Sequence, residues 1–167
     1  NDHFLDSWEP VSESNRPDSW VAVMRPRELR YQTSTLVYAR EAEDAVINGN
    51  AVVYYNPVYS GDEAVAELGD GPLNDLVFDD IDVPADGLYL CTIHYFSNYR
   101  TWEGMYAVND REGCIMMYDK IDTDATVSQG IPVYLSGSGM NTLRLFMDKK
   151  DCRLPDIDRI ELHPVTA

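Results

Sequence analysis

The sequence is poor in positive charge. Its 167 residues contain 13 Lys and Arg against 29 Asp and Glu, which gives a formal net charge of −16 at pH 7. Affinity for nucleic acids depends on many Lys and Arg side chains that neutralise phosphates, and anionic membranes attract proteins through the same side chains. The composition therefore argues against DNA, RNA and anionic membrane surfaces as partners.

The shortage of positive charge is greatest in the middle of the chain, where no Lys or Arg lies between Arg40 and Arg100. The carboxylates of this stretch are Glu41, Glu43, Asp44, Asp62, Glu63, Glu67, Asp70, Asp75, Asp79, Asp80, Asp82 and Asp86. Clustered carboxylates without cationic partners suit a hard cation such as calcium. For most of these residues the simpler explanation is a solvated acidic surface that keeps an extracellular protein soluble.

Cysteines and long apolar runs are also scarce. The cysteines, Cys91, Cys114 and Cys152, form an odd set without metal-ligand spacing, so neither a zinc site nor a full disulfide framework is indicated. No apolar run approaches the roughly 20 residues of a membrane span. The start, Asn1-Asp2-His3, is neither a signal peptide nor a natural initiator. We therefore expect a piece of a longer protein whose export signal, if it has one, lies elsewhere.

Motifs that would indicate catalysis are absent from the sequence. The histidines, His3, His94 and His163, show no metal-ligand spacing, and there is no Gly-x-Ser-x-Gly elbow or phosphate-binding loop. Carboxylates are abundant, but no spacing among them marks the acid and base of a glycosidase. We expect this chain not to be an enzyme.

The chain divides into a short N-terminal segment and one domain. Residues 1–35 include a polar, Pro-containing stretch and one short apolar run at 20–24, which indicates a linker or the last strand of a preceding domain. Residues 36–167 are long enough for one domain with its own core. We predict the domain boundary near residue 36.

Short apolar runs separated by Gly, Pro, Asn and Asp characterise the domain, and long helical periodicity is missing. The predicted strands are 36–43, 51–55, 64–68, 76–83, 87–96, 104–109, 114–118, 131–135, 141–148 and 157–163. Such short and regularly spaced strands predict an all-β fold, a β-sandwich (jelly roll) of two antiparallel sheets.

Two segments test this prediction. Residues 40–46 have good helix propensity, but tertiary context overrides propensity, and we assign them to a strand. Residues 88–96 alternate in character, which places Tyr89, Cys91, Ile93 and Tyr95 on the predicted core face. Cys91 is then a small buried apolar residue and not a nucleophile.

Four segments in order carry a more specific signal. They are the run Tyr38-Ala39-Arg40-Glu41-Ala42-Glu43, the turn Tyr59-Ser60-Gly61, the strand-turn-strand sequence 81–89, and the pair formed by Asn141-Thr142-Leu143 and Asp158-Arg159-Ile160-Glu161. In this order and at these distances they resemble carbohydrate-binding module families 35 and 6. The resemblance covers about residues 36–164. It implies a β-sandwich module attached to a larger extracellular glycan-degrading enzyme.

The resemblance also implies a structural calcium ion between the first and last strands. Its ligands here would be Glu41, Glu43 and Asp158, with a backbone carbonyl from Ser60 or Gly61. Residues i and i+2 of a strand point to the same face, so both glutamates can reach one cation. Two exposed carboxylates on an edge strand are the alternative.

A sugar site needs an aromatic surface for the pyranose ring and fixed polar groups for its hydroxyls. In the resembled families this site lies in loops at one end of the sandwich. The residues that we assign to it are Tyr54, Tyr55, Tyr59, Asn74, Tyr99, Arg100, Trp102 and Asp156. Asp156 stands where these families often have a ligand-binding Asn, which keeps the acceptor but not the amide donor. A loop that folds Trp102 back onto the sandwich is the alternative.

Two functions follow from these expectations. The first is a carbohydrate-binding module that targets its parent enzyme to galactose-, mannose- or uronic-type sugars. The second is a structural accessory domain that packs on the parent's catalytic domain without binding glycan. In both cases the protein is expected to be secreted or attached to the cell surface.

Overall fold

The structure is a computed structural model that describes residues 35–97, 100–120 and 123–165. The predicted N-terminal segment, including the apolar run at 20–24, lies outside these residues except for Thr35. The predicted domain boundary therefore stays a prediction.

The described residues form strands and one short 3-10 turn, Ser60–Asp62. The strands are β1 (Tyr38–Glu41), β2 (Val46–Ile47), β3 (Val52–Tyr55), β4 (Glu63–Ala66), β5 (Leu76–Ile81), β6 (Gly87–Phe96), β7 (Trp102–Val108), β8 (Cys114–Tyr118), β9 (Val127–Leu135), β10 (Asn141–Phe146) and β11 (Asp156–Pro164). In this part of the chain no helix has the length and apolar character needed to cross a membrane.

The strands pair in two antiparallel sheets, which confirms the predicted β-sandwich. The first sheet has the order β3-β4-β11-β6-β9, and β1 also pairs with β11. The second has the order β2-β5-β10-β7-β8. The closing strand β11 lies at the centre of the first sheet, so residues from both ends of the domain meet there.

The core lies between the sheets and is built from alternating positions. In β6 the side chains of Tyr89, Cys91, Ile93 and Tyr95 are buried, and the residues between them are less buried, as predicted. Burial raises the pKa of the Cys91 thiol, so Cys91 acts as an apolar core residue.

The opening strand ends earlier than predicted because the chain there changes sheets. β1 stops at Glu41, a turn follows, and β2 begins in the second sheet at Val46. Ala42 is fully buried at this corner, and its N–H donates to the carbonyl of Asp158 at 2.8 Å. The Arg40 guanidinium pairs with Asp80 across the two sheets. Neither the predicted strand through residue 43 nor the helix that propensity favours is present.

Candidate functional site

Three carboxylates converge on the turn that contains Ser60. The Ser60 N–H donates to Asp158 Oδ1 at 2.8 Å, and its hydroxyl donates to Glu41 Oε1 at 2.9 Å. Glu43 Oε1 lies 3.4 Å from the position that a Cβ on Gly61 would occupy. The residues predicted to bind calcium are thus neighbours around one turn.

The local backbone explains how these side chains meet. The register of β11 against β6 shifts between Ile157 and Arg159, which makes Asp158 the extra residue of a β-bulge. Glu41 is the last residue of β1, whereas Glu43 lies beyond it in the turn. The two glutamates therefore do not share a strand face as the i, i+2 argument required. The change of sheets brings Glu43 to the Ser60 turn instead.

The electrostatics of this cluster disfavour three negative charges without a counter-charge. The pKa of the Asp158 carboxyl is raised to about 6, because burial and the charge on Glu41 raise it more than the hydrogen bond from the Ser60 N–H and the charge on Arg159 lower it. Burial and the charge on Glu41 also raise the pKa of Glu43. Glu41 Oε2 and Glu43 Oε2 are buried without a hydrogen-bond partner. Such unpartnered oxygens are costly unless a proton or a cation satisfies them.

The donor set fits a hard cation in chemistry but is not assembled as a cation shell. Carboxylate and carbonyl oxygens are the ligands that calcium prefers. Among the described residues, however, no three acidic, His or Cys side chains surround one point closely enough to hold a metal. Ser60 already donates hydrogen bonds to one oxygen of Glu41 and to one oxygen of Asp158. Binding a cation would therefore require small rotations of these carboxylates.

A cleft of about 290 Å³ lies at the end of the sandwich where β6 ends and where β7 and β11 begin. It is lined by Glu67, Phe96, Ser97, Arg100, Trp102, Arg153, Leu154, Pro155 and Asp156. The predicted sugar-site residues Arg100, Trp102 and Asp156 therefore lie together. Tyr99 lies outside the described residues.

Asp156 forms the acidic side of the cleft. It pairs with Phe96 in the ladder between β11 and β6, and its Oδ2 accepts a hydrogen bond of 2.7 Å from the Tyr59 hydroxyl. The Tyr59 ring packs edge-on against Phe96, with 6.2 Å between the ring centroids. Burial raises the pKa of the Asp156 carboxyl, and the Tyr59 hydroxyl lowers it. Tyr59 is itself buried and is not one of the residues that line the cleft, so it contacts the cleft through Asp156 and Phe96.

Arg100 and Trp102 also line the cleft. The guanidinium carbon of Arg100 lies 3.7 Å from the centroid of the Trp102 ring, and the Arg100 carbonyl accepts a hydrogen bond from Ser97 Oγ at 2.7 Å. Only 9% of Trp102 is exposed, and the indole packs with the core. Trp102 begins strand β7 rather than lying in an open loop. The group presented to the cleft is therefore a guanidinium stacked on an indole.

Three other predicted residues lie outside the cleft. Tyr54 and Tyr55 are exposed in the edge strand β3, where successive side chains point to opposite faces, so they do not form one platform. Asn74 supports neighbouring loops, since its Nδ2 donates to the Gly69 carbonyl and its Oδ1 accepts from the Asn50 N–H.

Phe96, Arg153 and Glu67 also line the cleft, although they were not among the predicted site residues. Arg153 forms an ion pair with Glu67, and both residues line the cleft. The available signal for Arg153 was its position three residues before Asp156, in the connection between the predicted strands 141–148 and 157–163. Phe96 is the last residue of an alternating strand, and an end position gives no signal of its own.

No family model and no curated protein matches this chain. Among solved structures it is similar to a family 35 carbohydrate-binding module from Clostridium thermocellum, with 25% identity, a TM-score of 0.72, and coverage of 76% of this chain and 98% of that one. A family 35 module from Paenibacillus barcinonensis has 21% identity, a TM-score of 0.66, and coverage of 78% and 99%.

A third similar structure is the Podospora anserina GH26-CBM35 β-(1,4)-mannanase, with 23% identity and a TM-score of 0.65. It is matched over 78% of this chain but only 28% of its own length. The chain therefore has the fold of family 35 carbohydrate-binding modules, and the resemblance that the sequence motifs indicate is confirmed.

Proposed function

We propose that this chain is a non-catalytic carbohydrate-binding module that binds a glycan in the cleft between Asp156 and Arg100. The observation that carries the proposal is that this carboxylate and this arginine line one and the same cleft. The fold shared with family 35 modules supports it. The expected ligands are galactose-, mannose- or uronic-type sugars.

The cleft chemistry suits a single sugar residue. Asp156 Oδ1 can accept a sugar hydroxyl while Oδ2 stays bonded to Tyr59. Arg100 offers several N–H donors in a fixed plane, which matches a carboxylate or two neighbouring hydroxyls. Phe96 and Pro155 supply apolar surface for ring C–H groups. A site of this size implies weak affinity, which becomes effective when the module is tethered to an enzyme on the same polysaccharide.

A structural calcium ion is the second part of the proposal. Glu41, Glu43 and Asp158 would hold it, together with the carbonyl of Ser60 or Gly61. Two observations support this: the unpartnered buried oxygens Glu41 Oε2 and Glu43 Oε2, and the raised pKa of Asp158. When bound, the ion would supply the positive charge that this carboxylate cluster needs.

We also propose a wider setting for the module. A module of this kind would be part of an extracellular glycan-degrading enzyme, with the parent's catalytic domain and the glycan as its partners. This agrees with the high negative charge, which does not favour nucleic acids or anionic membranes.

A second candidate function is a structural accessory domain that packs on the parent's catalytic domain. The exposed edge strand β3 favours it, because all its residues, Val52, Val53, Tyr54 and Tyr55, are apolar or aromatic and exposed. Edge strands with unpaired backbone groups readily pair with another chain.

A glycan array separates the two functions. The whole chain, labelled and kept in calcium, should bind array features that carry terminal galactose, mannose or uronic acid. No binding to any feature, with the far-UV circular dichroism of a folded β protein, would refute the glycan proposal and favour the accessory domain.

A further inference from the structure

The proposed cation site and the proposed sugar cleft are joined by two adjacent residues. The Tyr59 hydroxyl donates to Asp156 Oδ2 in the cleft wall at 2.7 Å. The next residue, Ser60, donates to Asp158 Oδ1 and to Glu41 Oε1 in the carboxylate cluster at 2.8 and 2.9 Å. One peptide unit therefore connects the two sites.

The turn that carries these residues is closed by its own hydrogen bonds. The Tyr59 N–H donates to the Asn56 carbonyl, the Asp62 N–H donates to the Tyr59 carbonyl, and the Asn56 N–H donates to the Asp62 carbonyl, all within 3.1 Å. Gly61 and Asp62 have φ of 62° and 67°, which lie in the left-handed region that non-glycine residues rarely adopt. A turn closed in this way shifts as one unit, so Ser60 and Tyr59 move together.

The side chain of Tyr59 is also packed against a residue that lines the cleft. Only 5% of it is exposed, and its ring packs edge-on against Phe96, which lines the cleft. A displacement of the turn would therefore remove the hydroxyl from Asp156 and disturb the Phe96 ring. Both changes would alter the surface that the sugar contacts.

We infer that cation binding at the Ser60 turn sets the sugar affinity of the cleft through Tyr59, which is a positioning residue that fixes the Asp156 carboxylate. The inference rests on the proposed function. Without a cation, Ser60 alone links Glu41 to Asp158, and Glu41 Oε2 and Glu43 Oε2 have no hydrogen-bond partner to hold them against the turn. With the cation bound, the turn is fixed, and Oδ1 of Asp156 is held toward the cleft.

Coupling of this kind is reciprocal, because each ligand changes the affinity for the other by the same factor. Calcium should therefore tighten sugar binding without touching the sugar, and sugar should tighten calcium binding equally. Couplings between sites in proteins are commonly about 5-fold to 150-fold. For one connecting hydrogen bond we expect the low end, about 5-fold to 10-fold.

The test is a titration of the intact chain with galactose, mannose and glucuronic acid as probes, in calcium and in EDTA. The unsubstituted protein should bind its preferred probe about 5-fold to 10-fold more weakly in EDTA. Tyr59→Phe removes only the hydroxyl, so its affinity should be lower in calcium and nearly the same in EDTA. Tyr134→Phe, which removes an exposed hydroxyl on β9, should behave like the unsubstituted protein. Equal calcium dependence in Tyr59→Phe and in the unsubstituted protein would overturn the inference.

A second readout needs no sugar. The carboxyl ¹³C resonance of Asp156 should shift when calcium is titrated into the unsubstituted protein, and this shift should be largely lost in Tyr59→Phe although that variant still binds calcium. An Asp156 resonance that does not respond to bound calcium, or that responds equally in both proteins, would overturn the coupling. If no probe sugar binds, the proposed function fails, and this readout alone decides the coupling.

Discussion

The guanidinium of Arg100 lies over the indole of Trp102, with its carbon 3.7 Å from the ring centroid. This stacking assigns different roles to the two residues. Trp102 is largely enclosed and provides an apolar support, whereas Arg100 is exposed and lines the cleft. Cation–π contacts of this geometry also restrict the rotamers of the arginine, which lowers the entropy lost on binding a ligand.

Trp102→Ala should destabilise the fold rather than only remove binding. Truncation of a buried aromatic residue costs about 3 to 5 kcal/mol. Urea unfolding should show this loss, and Tyr134→Ala, which truncates an exposed aromatic, should change stability by about 0.5 kcal/mol or less. A Trp102→Ala protein of normal stability that no longer binds sugar would instead show that the indole is an exposed platform.

Arg100→Lys should weaken sugar binding by about tenfold, although it keeps the charge. A lysine ammonium cannot form the planar pair of hydrogen bonds that a guanidinium forms, so the loss should be largest for uronic-type ligands. Calorimetric or NMR titration with glucuronic acid measures it. The matched control is Arg111→Lys, an exposed position outside this cleft. Equal affinities of the two variants would remove Arg100 from the site.

Calcium should raise the melting temperature of the chain, since a ligand that binds only the folded state adds RT ln(1 + [L]/Kd) to the stability. At a calcium concentration 100 times its Kd, this amounts to about 2.7 kcal/mol. Differential scanning calorimetry in calcium and in EDTA measures it. Glu43→Gln should reduce the effect, whereas Glu112→Gln, at an exposed position, should leave it unchanged. A melting temperature that is unaffected by EDTA would contradict the calcium site.

The stability of the calcium-free protein should fall between about pH 4 and pH 6. Asp158 has a folded-state pKa of about 6, above the ordinary value of about 3.9 for Asp, so the folded state binds more protons in this range. Its contribution is therefore most favourable below about pH 4 and is lost as the pH rises through 6.

Asp158→Asn should lack this decline in stability. The difference between the unfolding profiles of the two proteins in EDTA separates the effect of Asp158 from that of groups such as Asp80, whose pKa is lowered in the folded state. In calcium the trend should reverse, because the cation binds the ionised carboxylates. Parallel profiles for the two proteins in EDTA would show that Asp158 is not perturbed.

The sequence predicted the features that depend on local pattern. Alternation in β6 identified the core face, and turn residues located most strand ends within a few residues. Contacts between segments that are far apart in the sequence were harder to predict from it. The position of Glu43 depends on a change of sheet after Glu41, which sequence spacing does not reveal.

The burial of Trp102 also could not be read from sequence. It depends on the pairing of β7 with β8, which places Trp102 opposite Tyr118, and on the arginine stacked above the ring. The assignment of Tyr54 and Tyr55 to the sugar site stays a prediction, since both are exposed in the edge strand β3, where successive side chains point to opposite faces.

The most direct test of glycan binding in this cleft compares substitutions of two aspartates. Asp148 lies in the connection before β11, and Asp156 is the first residue of β11. Asp156→Ala removes the acceptor in the cleft wall, whereas Asp148→Ala removes an exposed carboxylate that does not line the cleft. Titration with galactose, mannose and glucuronic acid should show at least a tenfold loss of affinity for the preferred sugar in Asp156→Ala, corresponding to about 1.4 kcal/mol, and unchanged affinity in Asp148→Ala. Sugar binding that is equally strong in both folded variants would contradict the proposed site.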